Sequence, residues 1–505
     1  MASDAVGLDR ISRVVGYKIK KGNFRTISPN LPQRIALLGE ANEANQGTLD
    51  LIPKEITSAK QAGELYGYGS PIYLMMRILR PLSGEGVGGI PVWVYPQAKA
   101  VGATQKVITV SSTGVATGNG VHTLKIAGRG VLDGSAYDIN VEEGDTTADI
   151  AQKIEDAINN VLGAPVLVES DDYEAELTTK WAGLTANELD VEVDTNEDDL
   201  GLTYTVTPGA AGSGTPSISD ALDLFQSNWN TIVCNGYGTV TSILNALQNF
   251  NGIPNPENPT GRYVGILMKP FIAVTGTIAD DPSSITDSRL NDVTIALAPA
   301  PLSKGFSFEA AANVTNLFAV VSQNTPHLDV GGRPYPDMPA PTSIGSMGDY
   351  ANRDAFVKKG CSTVDLVAGR YVMQDFVTTY HPIGEVPPQF RYARNLMLDF
   401  NVRYGYYLLE LINVVDHAIA NNNDTVTASN IIKPKQWKQI LDGYADDLTT
   451  RALIVDADFM KDSIEVDISS VNPDRLETFF RYKRSGVARI SSTDAEAGFN
   501  FGVLN

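Results

Sequence analysis

Gly84-Glu-Gly-Val-Gly-Gly89 has the glycine density of a loop that cradles a dinucleotide phosphate. Such a loop must follow a strand and open a helix, so that backbone N–H groups meet the phosphate at the helix N-terminus. Here the strand-like run from Pro91 to Pro96 comes after the glycines, and the context fails. Asp194-Thr-Asn-Glu-Asp198 carries the acids of a calcium loop, but Asp199 stands where that loop needs glycine and Thr205 where it needs a bidentate acid. It reads as an acidic turn. Cys234 ends an apolar run and is expected to pack as a small hydrophobe. Cys361 follows Lys358-Lys-Gly360, a setting that would depress a thiol pKa, yet no base accompanies it in sequence. His122, His327, His381 and His417 lack metal-ligand spacing. Walker, HExxH and GxSxG motifs do not occur. None of this is a positive sign of catalysis, and neither a metal nor a cofactor is expected.

The elements that would have to position such residues suggest a different kind of protein. A chain of 505 residues exceeds a single core and suits about three or four domains. With 43% apolar and 19% charged residues it is neither disordered nor collagen-like. A net charge of −20 argues against a nucleic-acid partner, which needs a basic face. No apolar run approaches the roughly 18 residues of a membrane span; the stretch around Tyr406 to Val415 is broken by Glu410. Two cysteines make no disulfide framework, and Met1-Ala-Ser-Asp lacks the features of a signal peptide. The expectation is a soluble, non-secreted, multidomain protein. Its charge is uneven. Residues 106–210 hold 20 acids against five bases, whereas the first 40 residues hold seven bases against three acids. The stretch from Arg481 to Ile490 is basic as well, so both ends are suited to acidic surfaces such as those of neighbouring copies.

Arg13-Val-Val-Gly-Tyr-Lys-Ile-Lys20 has strand composition, but the breaker Ser28-Pro-Asn-Leu-Pro32 follows it instead of a hairpin partner. A lone strand leaves its backbone groups unpaired and must dock elsewhere. From Arg34 an α/β rhythm begins, with a buried strand at Ile35–Leu38 and a helix from Thr57 or Ser58 to Gly67. Another helix opens at Ser70-Pro71, and a strand lies in 91–96. From about 102 to 214 the texture is short strands (in 107–110, 122–126, 137–141, 165–168, 189–193 and 203–206) around one helix striped by Ile150, Ile154, Ile158 and Val161. Pro208 to Pro216 reads as a linker, and the segment as a β-rich insertion held out in solvent and dispensable for assembly. The rhythm resumes with a helix from Ile218 to Phe225, a strand at Thr231–Cys234, a helix from Val240 to Phe250, strands at Tyr263–Met268 and Thr294–Leu297, and a helix from Glu309 to Val321. A mostly parallel sheet covered by helices is expected. Beyond the Pro-rich stretch 326–341 the pattern predicts strands in 364–367 and 371–380, helices over 392–419 and 434–450, a strand in 463–468, and a final strand near 487–492.

Three segments, in this order, resemble the sheath proteins of contractile bacteriophage tails of the Mu-like kind. One is the N-terminal arm with Pro32-Gln-Arg-Ile-Ala-Leu-Leu-Gly-Glu-Ala41. Another is Gly144-Asp-Thr-Thr-Ala-Asp-Ile-Ala151 leading to Trp181-Ala-Gly-Leu184. The third runs from Asp456-Ala-Asp-Phe-Met-Lys461 through Ile464-Glu-Val466 to Asn472-Pro-Asp-Arg475. The resemblance implies an α+β multidomain fold: an N-terminal arm (1–28), an α/β core (29–101 and 215–345), an inserted β-rich acidic outer domain (102–214), a C-terminal α+β inner domain (346–484) and a C-terminal arm (485–505). It implies a structural protein rather than an enzyme. Subunits would form hexameric rings stacked helically around a tail tube protein, with baseplate and tail terminator proteins at the ends. The lattice would contract to drive the tube through a host envelope. It would be assembled in the host cytoplasm and reside in the virion tail, with no nucleic acid bound and no membrane insertion. Rival readings are a surface adhesin and a hydrolase with an accessory β domain.

Within that resemblance, the orphan strands become arms that pair with neighbouring subunits. Val14, Val15, Tyr17 and Ile19 in the first arm, and Val487, Arg489 and Ile490 in the last, are the expected exchange residues. A head-to-tail contact of this kind does not close and generates a filament. Lys433, Lys435 and Lys438 surround the start of the helix at Pro434, where positive charge opposes the helix dipole. They are the expected tube contact.

Overall fold

The apolar runs Ile35–Glu40, Val92–Gln97, Ile232–Asn235, Ile272–Thr277 and Ile295–Pro299 are all but wholly buried, as strands covered on both faces must be. They pair in parallel, with Lys54–Glu55 added antiparallel at one edge. Ile35–Glu40 sits in the middle, with Ile35 opposite Ile232 on one side and Val92 on the other. The structure is a computed structural model, and it describes residues 29–497 except 256, 266–267 and 386–387. The expected N-terminal strand, with Val14, Val15, Tyr17 and Ile19, lies outside the described residues.

Local signals set the covering helices. Ser58 caps Ala59–Tyr66, and Ser70 caps Pro71–Leu79, which has proline in its first turn. The helix Ser307–Asn324 packs so tightly on the sheet that a Cβ at Gly276 would stand 1.6 Å from the Ser307 carbonyl. Only glycine admits that approach.

Among the described residues of 263–268 no strand forms; Gly261–Tyr263 is a 3-10 turn, and the strand is Ile272–Thr277. Side-chain bonding overrides the apolar run. Arg262 donates to the carbonyls of Gln226, Asn228 and Lys269, and the Asn251 amide pairs with both backbone groups of Phe271 at 2.9 Å. The strand therefore starts after these anchors.

The segment 105–208 builds a four-stranded antiparallel sheet and a three-stranded one around the helix Thr147–Asn159. Thr146 and Asp149 form a capping box, and Ile150, Ile154 and Ile158 are buried as their spacing predicts. Beyond the expected strands lie the short Val131–Leu132/Ser135–Ala136 hairpin and one long strand. Glu174–Ala182 lies between Gln105–Thr113 and Val166–Asp171, burying Ala175, Leu177, Thr179 and Trp181 in alternation.

Two further expectations are corrected. The 208–216 stretch is not a free linker: Val107 N–H donates to Ala210 O at 2.9 Å and Thr104 N–H to Ser213 O at 3.0 Å, zipping exit to entry. Nor does the insertion stand out in solvent. Trp181 is fully buried against Phe306 and Phe308, with ring centroids 5.2 and 5.8 Å away, and Arg129 pairs with Glu309 at 2.9 Å. Several of the insertion's acids meet core cations at this contact: Asp133 pairs with Arg77 at 2.5 Å, and Lys304 reaches Asp190 at 3.4 Å and also meets Glu192.

The C-terminal part begins with the helix Tyr350–Lys358, which the pattern did not reveal, and the hairpin Thr363–Val367/Arg370–Asp375. The long helix Ala393–Asn413 joins two cores: Leu396, Met397 and Phe400 enter the main one, while Leu398 and Val402 enter a second around Trp437, Leu441, Tyr444 and Leu448. It ends short of Ile419. Asp416 turns left-handed (φ 61°), and Ala418–Ile419 pairs in parallel with Ile431–Ile432. The helix Pro434–Thr450 crosses it where Gly405 leaves room for the Tyr444 ring. No helix among the described residues is long and apolar enough to cross a membrane.

Candidate assembly surfaces

After Asp456 caps the short helix Ala457–Asp462, the chain makes the hairpin Glu465–Ile468/Leu476–Phe479. Asn472-Pro-Asp-Arg475 is its turn. The Asn472 carboxamide accepts from Asp474 N–H at 3.1 Å, its carbonyl accepts from Arg475 N–H at 3.1 Å, and Ser469 N–H donates to Arg475 O at 2.9 Å. One face rests on the second core, where the Trp437 indole donates to Thr478 Oγ1 at 3.1 Å. The other carries Glu465, Asp467, Glu477 and the exposed Phe479. Among the described residues no third strand joins either side, so both outer edges have unpaired backbone groups. The second strand, Leu476–Phe479, was missed in the sequence, although the turn before it and the Leu-Glu-Thr-Phe alternation signal it.

From Tyr482 the chain crosses back toward the main core under dense polar anchorage that the sequence did not foretell. Tyr482 OH donates to Asp399 at 2.8 Å, and Arg484 grips both Asp399 oxygens at 2.7 and 2.6 Å. Arg394 donates to Ser485 Oγ at 2.6 Å and to the His327 carbonyl at 2.8 Å. Lys483–Arg484 pairs with Ile454–Val455. The last anchor is Arg489, which meets Asp329, reaches Asp375 at 3.2 Å and stacks 3.7 Å from the Tyr392 ring centroid.

No strand forms at 487–492. The segment runs without pairing, Val487 half-buried and Ile490 87% exposed, and every residue from 491 to 497 is exposed. Arg489 therefore belongs to the root of the C-terminal segment, and Ile490 begins its free part. Val487 and Arg489 line a groove with Asp329, Asp375, Tyr350 and Tyr392.

The three lysines fall in different settings. Lys433 immediately precedes the helix, and its ammonium donates to the Asp424 carbonyl. Lys438 is half-buried and donates to the Ile464 carbonyl at 2.7 Å, tying the helix to the start of the hairpin. Lys435 alone of the three is exposed, with its backbone N–H held by Asn422 Oδ1 at 2.8 Å. The expected cluster is thus dispersed: one lysine is structural and one faces solvent.

The residues with chemical promise are also accounted for. Burial pushes the thiols of Cys234 and Cys361 up to about 12, opposite to the depression suggested by the lysines before Cys361. His122 is buried with Nδ1 2.8 Å from Tyr204 OH. Asp194 accepts from Lys125 at 2.7 Å and from Asn196 N–H at 2.9 Å, a closed acidic turn. Among the described residues no three His, Cys, Asp or Glu side chains gather as a metal site.

No family model matches the chain. Its sequence is 24% identical over 433 residues to the Mu-like prophage FluMu tail sheath protein of Haemophilus influenzae, covering 83% of this chain and 84% of that protein. The resemblance to Mu-like tail sheath proteins is thereby borne out. Among solved structures, the sheath tail protein of Desulfitobacterium hafniense aligns with TM-score 0.43 and 12% identity, covering 93% of this chain and 100% of its own. That of Listeria innocua aligns with TM-score 0.42 and 13% identity, covering 91% and 94%. The contracted helical sheath of the anti-feeding prophage aligns with TM-score 0.46 and 10% identity, covering 97% and 100%.

Proposed function

We propose that this chain is the structural subunit of a contractile tail sheath. The observation that carries this reading is its sequence match, over most of both chains, to a tail sheath protein. The geometry supplies a means of assembly. The hairpin Glu465–Ile468/Leu476–Phe479 has two open edges, and the described C-terminal segment leaves the core unpaired after Arg489. An extended arm of a neighbouring copy satisfies such an edge by strand addition. Six added residues gain about 0.5–1.5 kcal/mol per hydrogen bond and lose about 1–2 kcal/mol each in ordering, so one arm is near balance. Many arms acting through effective concentration hold a lattice, and near-balance joints let it rearrange without dissociating.

In this reading the six-fold rings wind around a tail tube between baseplate and terminator proteins. The insertion faces outward, the C-terminal part faces the tube through Lys435, and the particle resides in the virion after assembly in the host cytoplasm. Electron microscopy of the purified full chain, alone and with tube protein, tests the proposal. Tubes or stacked rings support it, and uniformly dispersed particles under both conditions count against it.

A further inference from the structure

The insertion closes over the carboxyl ends of the parallel strands, where open α/β sheets leave room for ligands. Two carboxyls are trapped in that seam. Glu40 ends the central strand, only 4% exposed, and its Oε2 has no hydrogen-bond partner. Gly183 of the insertion lies over it: a Cβ there would stand 3.4 Å from Glu40 Oε2 and 3.6 Å from Oε1. Glu188, also from the insertion, reaches the start of the helix Ser307–Asn324 and accepts from Ser307 N–H at 2.7 Å. Trp181 is packed beside the same helix start.

We propose that Glu40, assisted by Glu188, is a proton-operated clasp: as neutral carboxyls they let the insertion seat on the sheet, and as anions they loosen it. The surroundings favour the neutral forms. Toward Glu40 the charged neighbour is Glu43, whose own partner is Lys99, and Tyr237 spends its hydroxyl on Gln97 at 2.5 Å. Among the described residues no cation pairs with Glu40. Burial and the Glu43 charge push Glu40 up to about 8. Glu188 faces Glu309, which is itself paired with Arg129; burial, opposed by the Ser307 N–H, brings it to about 7. Lys180, in the neighbouring strand, is brought down to about 8 by burial.

The signs follow. Glu40 and Glu188 have folded values above the ordinary carboxyl value, so their contribution is whole below about 4.5 and is lost as pH rises through about 7 and 8. Lys180 acts in the opposite sense at higher pH, where neutralising it removes a buried charge. Loosening is therefore expected between pH 6 and 8.5.

Hydrogen exchange of the full chain, corrected for intrinsic rates, tests the clasp at pH 5.5 and 8.5. Protection across 104–214 in the parent should fall about tenfold or more at the higher pH, while the strands Ile232–Asn235 and Ile272–Thr277 keep theirs. Glu40→Gln should retain protection at pH 8.5 and there unfold at higher denaturant than the parent, with Glu188→Gln giving a smaller gain. A constant deficit of Glu40→Gln at both pH values, or a parent insertion equally protected at both, overturns the proposal. Should the variant fail to fold, the parent profile alone decides.

Discussion

The central strand Ile35–Glu40 and the hairpin Glu465–Ile468/Leu476–Phe479 are opposite solutions to the same backbone problem. The first has a strand on each side, and all six residues are buried. The second has two strands, one exposed face and no further neighbour among the described residues. A two-stranded ribbon is marginal by itself, and open edges invite pairing with other chains. The contrast separates what holds the chain together from the edges proposed to receive other copies. Charges on the exposed face, Glu465, Asp467 and Glu477, restrict which strands dock there without closing the edges.

The strongest way to break this comparison is to remove the arms. Deleting residues 1–25, or ending the chain after Arg489, is expected to abolish tubes in electron micrographs while leaving one cooperative melting transition. Ending it after Ser485 should also abolish tubes and in addition lower the melting temperature, because it removes the Arg489 anchor on Asp329 and Asp375. Normal tubes from any of the three would mean that the open edges are not the joints.

The next largest effect lies inside the self-sufficient region. Trp181→Ala empties a site packed between the two layers and should cost about 3–5 kcal/mol in chemical denaturation. For the same reason, deleting the insertion between Ala100 and Pro216 should destabilise the monomer by uncovering Phe306 and Phe308. A deletion as stable as the parent would show that the insertion is merely perched on the core.

The parts that were legible in the sequence are those governed by local chemistry. The capping serines, the proline after Ser70, the Ile150/Ile154/Ile158 stripe and four of the sheet's apolar strands, Ile35–Glu40, Val92–Gln97, Ile232–Asn235 and Ile295–Pro299, stand about where their patterns place them. What was not legible depends on partners distant in sequence. Ile272–Thr277 is selected over Tyr263–Met268 by Arg262 and Asn251. Glu174–Ala182 is a central strand despite residues of low strand preference, because its alternate positions face a core. Of the assembly residues, charge alone marked the lysines, and it could not tell Lys438, spent on a carbonyl, from exposed Lys435. Arg489 had strand-like neighbours, but its carboxylate partners lie 114 and 160 positions earlier.

A smaller effect sharpens where the core ends and the arm begins. Arg489→Ala leaves Asp329, nearly buried, without its guanidinium, and should cost about 1–3 kcal/mol. Arg489→Lys should recover only part of that, since an ammonium cannot reproduce the fork between two carboxylates and the stacking on Tyr392. Denaturation of the two variants beside the parent measures it. An unchanged midpoint for Arg489→Ala would move the root of the arm back to Arg484, whose grip on Asp399 is the next anchor inward.

The smallest effect is expected at Lys435, and it bears on the proposed tube contact. Its ammonium is exposed, so in the free subunit Lys435→Glu should change stability by less than about 0.5 kcal/mol. Lys438→Glu should instead damage the hold on the Ile464 carbonyl, making it a structural control rather than a second contact. If an acidic tube surface meets this helix start, Lys435→Glu reduces co-sedimentation of sheath with tube at low salt. The parent's binding then declines as salt rises, because exposed charges are screened beyond about 8–10 Å at physiological ionic strength. The mutant, lacking the attraction, should show a flatter salt dependence, and the two should converge in high salt. If strand edges join the copies, as proposed, tubes of sheath alone should form equally from both. Equal binding of parent and Lys435→Glu at low salt would assign the tube contact to another face of the C-terminal part.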